Sequence, residues 1–590
     1  MSTVIGALLA QTGLAADAPV ESLLAQMTLD EKIGQMVQPD VHALKEPADI
    51  EKYFLGSILN GGGGGPTNNV PQVWWQVVND YQSWALKTRL KIPLLYGVDA
   101  VHGHNNVDGA VIFPHNIGLG ATHNPALVEQ AEHITALEVA GTGIRWAFAP
   151  CLAVAQNERW GRTYESFGDS PELVSQLGAA AVRGFQGREL SDSSIVLACA
   201  KHFIGDGGTE NGVDQGNDVC DEATLRKLYL PPYQAAIKAG VGSIMVSYSS
   251  WNGKKMHDNK HLLTEVLKGE LGFRGFLVSD WAAIDQISPN YKADVERSIN
   301  AGLDMVMIPY GPGQPNNFVE FIQDLKQLVA ENKVPQARID DAVRRILRIK
   351  FQMGLFANPY PDPALTAAIG NAAHRAVARQ CVRESLVPLK NDGHTLPLAK
   401  NLKHLVVVGG AADDIGTQCG GWTISWQGQA GNTLHGGTTI LSAIRATVSG
   451  GTQVDFSRDG SDLAGANAVI VVVGESPYAE TKGDRSDLRL PANDVALVEK
   501  AKSAGVPVVT VLLSGRPLIL GNALDASDAL LAAWLPGTEG QGVADVLFGD
   551  YRPTGRLPRQ WPRSNDGVAT AATQPSAEAP QFPQGYSLSN

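Results

Sequence analysis

Short apolar runs alternate with longer amphipathic stretches through the first part of the chain, and each run ends in a polar residue or a turn. Eight runs follow this pattern: GQMVQPD (34–40), GSILN (56–60), PLLYGVD (93–99), IRWAFAP (144–150), VLACAKHF (196–203), GSIMVSY (242–248), GFLVSD (275–280) and DMVMIP (304–309). Continuous apolar strands that alternate with helices are typical of a parallel sheet covered by helices. Eight such units predict a (β/α)8 barrel with insertions over residues 18–357.

The pattern restarts after FANPYPDPAL (356–365), a proline-rich break that predicts a linker over residues 358–370. Four more buried-strand candidates follow it: HLVVVGG (404–410), AVIVVVGES (468–476), VPVVTVLLS (506–514) and ALLAAWLPG (529–537). They predict a layered α/β sandwich domain over residues 371–562. The last residues, 563–590, are rich in Ser, Ala, Pro and Gln and are predicted to form an irregular tail. The expected fold class is therefore α/β, with a barrel followed by a sandwich.

Composition excludes several classes of function. The 590 residues carry a net charge of −13, which argues against a nucleic-acid binder because such proteins normally present a basic face. No apolar run approaches the ~20 residues that would span a bilayer. Neither a GxxxxGK[ST] motif nor a GxGxxG motif after a strand occurs, so no nucleotide site is indicated. The run GGGGG at 61–65 is expected to be a flexible loop and not a phosphate cradle.

The N-terminus and the cysteines say little about the compartment. The stretch VIGALLAQTGLAAD (4–17) resembles the apolar region and cleavage site of a secretory leader, although the basic residues that normally precede them are missing. Residues 1–17 can thus be the remnant of a leader or a plain N-terminal extension. The five cysteines (151, 199, 220, 381 and 419) show no CxxC spacing, which indicates neither a disulfide framework nor a zinc site.

Polar side chains collect where the predicted barrel strands end. These residues are Asp40, Asn60, Asp99, Lys201, His202, Tyr248 and Asp280. The active sites of barrel enzymes are built at the carboxyl ends of the strands, so these side chains are candidates for one site.

The segment GFLVSDWAAID (275–285) is the most informative of these strand ends. Asp280 can cap the following helix, or it can be a carboxylate at the barrel mouth beside Trp281. An aromatic face is suited to stacking on the apolar face of a sugar ring. Asp285 competes for the same role, but its position five residues further favours an acid at a helix start.

Two other strand ends and one loop add cations. In AKHFIGDGG (200–208), Lys201 and His202 are neighbours on a strand, so either one of them points away from the site or the backbone is distorted there. The loop NERWGRTYESFGDSP (157–171) adds Arg159 and Arg162. His102 and His104 lie two residues apart, but no accompanying Cys or Glu-x-x-His spacing supports a metal site.

A charged loop follows one of the buried strands of the second domain. The segment VVVGESPYAETKGDRSDLRLP (471–491) carries Glu475, Glu480, Lys482, Asp484, Arg485 and Asp487. Loops between strands and helices are usually polar, so solvation is one explanation. The other is that the loop presents a catalytic carboxylate to a site elsewhere in the chain.

These segments together resemble glycoside hydrolase family 3, in particular its β-glucosidase and exo-β-glucanase subgroup. The resemblance runs from LLAQMTLDEKIGQM (23–36) to WLPGTEGQGVADVLFGDYRPTGRLP (534–558). Its most specific motifs are KHFIGDGG, RWGRTYESFGDSP, LVSDW, CGGWTISWQG (419–428) and GESPYAETKGD (474–484). The family fold that the resemblance implies, a (β/α)8 barrel followed by an α/β sandwich, agrees with the division predicted from the strand pattern.

The resemblance implies a role for each motif residue. Asp280 matches the nucleophile and Glu480 the acid/base, which would arrive on the loop of the second domain. Five residues match those that bind the hydroxyls of the terminal glucosyl unit: Asp99, Arg159, Lys201, His202 and Tyr248. Trp281 and Trp426 match the aromatic pair that holds the next sugar, although Trp426 can also be an interdomain packing residue.

The expected function is that of a retaining, exo-acting β-glucosidase that needs no cofactor and no metal. Its expected partner is a β-glucoside or β-gluco-oligosaccharide, with neither nucleic acid nor membrane, and its expected location is periplasmic or extracellular. A β-xylosidase or another exo-glycosidase of the family is the close alternative, and a non-catalytic sugar-binding protein is the distant one. Two positions depart from relatives: Gln286 replaces an Arg of plant members, and Asp206 replaces a His of the N-acetylhexosaminidase branch.

Overall fold

A computed structural model describes residues 18–570, 576 and 578–588 of the chain, so the leader-like stretch 1–17 lies outside the described residues. Each of the eight apolar runs predicted as barrel strands contains one strand. In chain order β1 to β8 are Val37–Pro39, Ser57–Asn60, Leu95–Val98, Trp146–Ala147, Leu197–Phe203, Ser243–Val246, Phe276–Val278 and Val306–Ile308.

These strands form a closed, parallel barrel. Strands β2 to β7 form one sheet in sequence order, and β1 pairs in parallel with β8. Two parallel bridges close the ring: Asp40 with Leu59 joins β1 to β2, and Val278 with Met305 joins β7 to β8. The predicted (β/α)8 barrel is confirmed.

The strands are apolar on both faces because helices cover the outside of the barrel. Several of these helices begin with a side-chain cap followed by proline: Asn124 accepts the Leu127 N–H before Pro125. The helices of this half are Leu29–Gln35, Asp49–Lys52, Pro71–Ala85, Asn116–Thr122, Pro125–Gly141, Pro171–Gln186, Glu222–Leu228, Leu230–Lys238, the π-helical His261–Glu270, Tyr291–Ala301, Phe318–Ala330 and Gln336–Gln352. A small separate sheet is formed by Asn217–Asp218, Ser250–Trp251 and Lys254–Lys255.

The second domain is a six-stranded sheet between helices. Strands β9 to β14 are Val387–Asn391, His404–Val408, Gln453–Ser457, Ala468–Gly474, Val508–Leu513 and Ala529–Trp534. Their spatial order is β9-β14-β13-β12-β10-β11, and every pair is parallel except β9 with β14. The helices are Ala372–Ser385, Ile415–Cys419, Ile440–Thr447, Ala492–Lys502, Asn522–Ala526 and Gln541–Leu547. The predicted α/β sandwich is thus confirmed, with two strands that the sequence pattern did not reveal.

The segments predicted as linker and tail are both held by hydrogen bonds. In the linker, Thr366 Oγ1 donates to the Gly141 carbonyl at 2.7 Å, and the Gly370 N–H donates to Glu138 at 2.8 Å. In the tail, the Phe582 carbonyl accepts the Trp561 N–H at 2.8 Å. None of the helices that the structure describes is long and apolar enough to cross a membrane.

A buried lysine joins the outer helices to the amino-terminal end of the barrel. Lys350, on the helix Gln336–Gln352, donates to Gln35 Oε1 at 2.8 Å and to the carbonyls of Gly56 and Pro93 at 2.8 and 2.7 Å. Gly56 directly precedes β2, and Pro93 lies two residues before β3. Burial lowers the pKa of Lys350 to about 7. Its three donors therefore satisfy acceptors that water cannot reach.

We expect Lys350→Met to lower the melting temperature by roughly 5 °C, because buried acceptors left without a donor destabilise the native state by about 1–3 kcal/mol each. Differential scanning calorimetry measures this shift. Lys326→Met is the control, since Lys326 is 45% exposed in its ion pair with Asp30 and such pairs contribute little. Equal melting temperatures for the two variants would show that Lys350 is not needed to close the barrel.

Candidate active site

A cavity of about 660 Å3 lies at the carboxyl ends of the barrel strands and is covered by loops of the second domain. It brings together eight of the nine side chains that the sequence predicted for the site: Asp99, Lys201, His202, Tyr248, Asp280, Trp281, Trp426 and Glu480. Arg159 is the exception and does not line the cavity. The lining residues that sequence reasoning did not assign include Asp40, Arg162 and Trp422.

Asp280 follows β7, and its carboxyl group faces the cavity. Oδ1 accepts the Trp281 N–H at 2.7 Å. Oδ2 is buried with no hydrogen-bond partner among the described residues, and His202 Nε2 lies 3.7 Å from it. Burial raises the pKa of Asp280 to about 6, although the Arg162 guanidinium and the Trp281 N–H oppose the shift. The carboxyl group is therefore mostly ionised at neutral pH and has one oxygen available to a ligand.

Lys201 and His202 both line the cavity, although they are neighbours on β5. The pairing of β5 with β6 shifts register between Ala200 and Phe203, and such an irregularity can turn consecutive side chains to one side. The distorted backbone, one of the two alternatives for this strand, is thus the one observed. Lys201 Nζ donates to Asp99 Oδ1 at 2.9 Å, and the His202 ring is paired with Asp206 at 2.9 Å.

Of the two arginines in the loop 157–171, Arg162 lines the cavity and Arg159 does not. The Arg159 guanidinium donates to the carbonyls of Asn565 at 2.6 Å and Ala569 at 3.4 Å, so the tail holds it outside the cavity. Arg162 instead enters the cavity and pairs with Glu165 through two hydrogen bonds of 2.9 Å. No local signal in the sequence distinguishes the two arginines, because the carbonyls that hold Arg159 come from the tail. Arg159, expected to contact the first sugar, thus lies outside the cavity, and Arg162 is the arginine of this loop that lines it.

Glu480 reaches the barrel on the charged loop after β12. Its Oε1 accepts a hydrogen bond of 2.9 Å from Arg162 Nη1. Its backbone φ of +54° lies in the left-handed region, which is unfavourable for a residue with a side chain. Burial raises the pKa of Glu480 to about 8; Arg162 opposes this shift, while the carboxylates of Asp214 and Asp280 add to it.

Glu475, the other candidate on this loop, is held inside the second domain. Its carboxylate accepts from Tyr478 Oη at 2.9 Å and from the Gly515 N–H at 3.1 Å, and it lies 3.2 Å from the Arg516 guanidinium. Glu475 does not line the cavity. Its acceptors are used within the second domain, so the geometry favours Glu480 as the carboxyl group offered to a ligand.

Hydrogen bonds across the domain boundary fix the loop that carries Glu480. Asp484 accepts the N–H groups of Gly161 at 2.7 Å and Asp214 at 2.8 Å. Arg516 donates to the carbonyls of Gly483 at 2.6 Å and Glu158 at 3.0 Å. A Cβ at Gly161 would lie 1.9 Å from the Glu480 carbonyl oxygen, so this approach requires glycine.

Two tryptophans stand at the cavity mouth, one from each domain. Trp281 and Trp426 are each 37% exposed, which is unusual for side chains of this size. The Trp281 carbonyl accepts the Tyr248 hydroxyl. Behind Trp426, Trp422 is buried and donates its indole N–H to Glu165 Oε1 at 3.0 Å. The pair offers apolar faces at the cavity mouth, as stacking on a sugar ring requires.

The histidine pair considered for a metal has structural partners instead. His102 Nδ1 pairs with the Phe113 carbonyl at 3.1 Å and His104 Nε2 with Thr142 Oγ1 at 2.8 Å. Among the described residues, the one group with the spacing of metal ligands is Cys151, His202 and Asp206. Burial raises the pKa of the Cys151 thiol well above its usual range, which disfavours the thiolate that a metal needs.

The cavity therefore combines two carboxyl groups of unequal acidity. Arg162 contacts Glu480, and its Nη2 lies 3.2 Å from His202 Nε2, the ring atom that faces Asp280. Near neutral pH one carboxyl group is ionised and the other holds its proton, because their pKa values are about 6 and 8. Such a pair can perform nucleophilic and general acid/base chemistry at one centre.

Comparison with known proteins gives one family over most of the chain. Residues 28–349 match the glycosyl hydrolase family 3 N-terminal domain, and residues 386–590 match the C-terminal domain of that family. A lysosomal beta glucosidase of Dictyostelium discoideum is 36% identical over 94% of this chain and 73% of its own length. A periplasmic beta-glucosidase of Salmonella typhimurium is 33% identical, covering 98% of this chain and 80% of its own.

A solved structure shows the same architecture. An exo-1,3/1,4-beta-glucanase from a Pseudoalteromonas species superposes with a TM-score of 0.92 at 41% identity, over 97% of this chain and 74% of that one. The two matched domain models agree with the barrel and sandwich of the structure and with the two carboxyl groups that line its cavity. The chain belongs to glycosyl hydrolase family 3.

Proposed function

We propose that this glycoside hydrolase is a retaining, exo-acting β-glucosidase that releases terminal non-reducing β-D-glucosyl residues from oligosaccharides and aryl glucosides. The observation that carries the proposal is the pair Asp280 and Glu480, delivered to one cavity by different domains with pKa values on opposite sides of neutrality. The β-glucosidase and exo-glucanase relatives support the choice of a glucoside. We also propose a periplasmic or extracellular location, as for the relative from Salmonella typhimurium.

The reaction would take place in two displacements at the anomeric carbon. In the first, an Asp280 carboxylate oxygen bonds to that carbon while the glycosidic oxygen leaves with the proton of Glu480, and a glycosyl ester remains on Asp280. In the second, the Glu480 carboxylate removes a proton from water, the water oxygen replaces Asp280, and β-glucose leaves. The product keeps the configuration of the substrate, and no metal or cofactor takes part.

The polar groups on the barrel side are placed to bind the first sugar. The Lys201–Asp99 pair offers an ammonium and a carboxylate that can each bond a hydroxyl group, and both line the cavity. We assign the same role to His202, to Tyr248 and to Arg162 in place of Arg159. The second sugar would lie between the indoles of Trp281 and Trp426.

A mechanism-based label tests the proposal directly. With a 2-deoxy-2-fluoro-β-glucoside, the electron-withdrawing fluorine slows both steps, and a good leaving group lets the glycosyl ester accumulate. We expect peptide mapping to find one label, on Asp280. A label on Asp285 or Asp214 would refute the assignment, and the absence of both labelling and turnover with any β-glucoside would refute the function.

Glu480→Ala should separate leaving groups, because an alkoxide needs a proton to leave and a dinitrophenolate does not. We expect cellobiose hydrolysis to fall by at least about 100-fold, while the burst of dinitrophenol from its glucoside persists. Azide should then accelerate turnover, since it attacks the glycosyl ester without a general base.

Glu475→Ala is the comparison, because it removes a carboxylate of the same loop that lies outside the cavity. We expect it to lower the melting temperature, because the buried Arg516 loses the carboxylate beside it. Activity should fall to a similar extent on both substrates, and azide should not restore it. If azide rescues Glu475→Ala and not Glu480→Ala, the two roles are reversed.

The pH dependence follows from the two pKa values. Asp280 must be ionised to attack, so kcat/KM should fall as the pH drops through about 6. Glu480 must be protonated to assist departure of the leaving group, so kcat/KM should also fall as the pH rises through about 8. We expect a bell-shaped profile on cellobiose with its maximum near pH 7. In Glu480→Gln, the dinitrophenyl glucoside should show the acidic limb alone. A basic limb that survives this substitution would belong to another group.

A further inference from the structure

The five glycines 61–65, here called the glycine loop, form a fixed part of the cavity wall. The Gly61 N–H donates to Asp40 Oδ2 at 2.9 Å, and the Gly64 N–H donates to the Gly61 carbonyl at 2.8 Å. The Asn60 side chain donates to the Gly64 carbonyl. The flexible loop expected from the sequence is thus a hydrogen-bonded turn that begins where β2 ends, and Gly61 to Gly64 line the cavity.

This loop packs against both exposed tryptophans at the cavity wall. A Cβ at Gly61 would lie 2.7 and 2.8 Å from Cζ3 and Cη2 of Trp281. A Cβ at Gly62 would lie 3.0 Å from both Cα and Cβ of Trp426 and 3.2 Å from Cζ3 of Trp422. The backbone therefore touches an indole of the barrel on one side and the tryptophan loop of the second domain on the other. No side chain fits at either position without moving a tryptophan.

The loop also has polar groups that remain available. The N–H groups of Gly62 and Gly63 have no hydrogen-bond partner among the residues that the structure describes. Both glycines line the cavity beside the indoles. A sugar that lies between two aromatic faces directs its equatorial hydroxyls outward from its edge, where backbone donors can bind them. The glycine loop can thus provide both the width of the gap and hydrogen bonds at its edge.

We propose that the glycine loop is a specificity-determining element for the second sugar: by packing against Trp281 on one side and Trp426 on the other it fixes the gap between them, and it supplies backbone donors at the edge of that gap. This inference rests on the proposed function and deepens it. An unbranched β-linked hexose fits such a gap in more than one linkage, because stacking depends on ring shape more than on the position of single hydroxyls. A substituent on either ring face would collide with an indole.

Gly61→Ala tests the proposal, because the added methyl group has to displace the outer ring of Trp281. We expect kcat/KM for cellobiose and laminaribiose to fall about tenfold, which corresponds to the loss of one aromatic contact. On a nitrophenyl glucoside the loss should be about twofold, because its planar leaving group can still stack on a shifted Trp281 ring. The inhibition constant of glucose reports on the first sugar site and should stay within about twofold.

A double-mutant cycle removes the collision. Phenylalanine lacks the atoms Cζ3 and Cη2, so Gly61→Ala should have almost no further effect on disaccharides in the Trp281→Phe background. Gly450→Ala is the matched control, because a Cβ there meets nothing within 4 Å and its φ is ordinary. Melting temperatures of all variants show whether a loss reflects folding.

Three outcomes would overturn the proposal. They are equal losses on disaccharides and aryl glucosides, a raised inhibition constant for glucose, or additive effects in the cycle. Each would place the loop outside the control of the second sugar while leaving the β-glucosidase assignment intact. If the unaltered protein hydrolysed no β-glucoside at all, the proposed function itself would fail, and this result is distinguishable before any variant is made.

Discussion

The Arg162 guanidinium is the interaction on which the site depends. It is buried and contacts three groups: Glu165 on its own loop, Glu480 from the second domain and the His202 ring on β5. Burial alone would lower its pKa, but Glu165 and Glu480 outweigh this effect and hold the pKa well above its usual range. Without this charge, two buried carboxyl groups would lose their cation, which costs far more than the loss of a surface pair. Arg162 therefore links the second domain to the barrel and limits the rise in the pKa of Glu480 that burial causes.

Close backbone approach is the second constraint, because Arg162 can reach Glu480 only if the two loops touch. Gly161 provides that contact, since any side chain there would overlap the Glu480 carbonyl. Asp484 then bonds two barrel N–H groups, and Arg516 holds the carbonyls of Gly483 and Glu158. These bonds compensate for the left-handed backbone of Glu480, which would be unfavourable in a free loop. Several hydrogen bonds along the loop thus position it, in addition to the one between Arg162 and Glu480.

The sequence predicted most of the fold because buried parallel strands are apolar throughout and therefore easy to recognise. The two strands that it missed lie at the edges of the second sheet: β9 contains Pro388 and Lys390, and β11 alternates exposed and half-buried residues. Sheet edges escape the rule of continuous apolarity. Arg159 was misplaced because the spacing that orders a motif along the chain does not say which of two arginines turns inward. That choice depends on distant carbonyls of the tail, which no local pattern contains. The packing of the glycine loop was hidden for the same reason, since its contacts come from four separate tryptophans, 74, 281, 422 and 426.

Burial raises the pKa values of both Asp280 and Glu480, and their different neighbours then act on each of them in a different way. Burial is the largest cause that raises both pKa values, and Arg162 lowers both, but the other neighbours of the two groups differ. Asp280 gains the Trp281 N–H and the Lys201 charge, whereas Glu480 faces the carboxylates of Asp214 and Asp280. In the proposed mechanism Asp280 becomes a neutral ester, so its negative charge disappears and one cause of the raised pKa of Glu480 disappears with it. Glu480 then becomes a stronger acid at the moment when its proton has been given to the leaving group, and its carboxylate persists as the base for the incoming water. The negative charge of Asp280 thus favours the protonated form of Glu480 before the first step, and the loss of that charge favours the Glu480 carboxylate before the second.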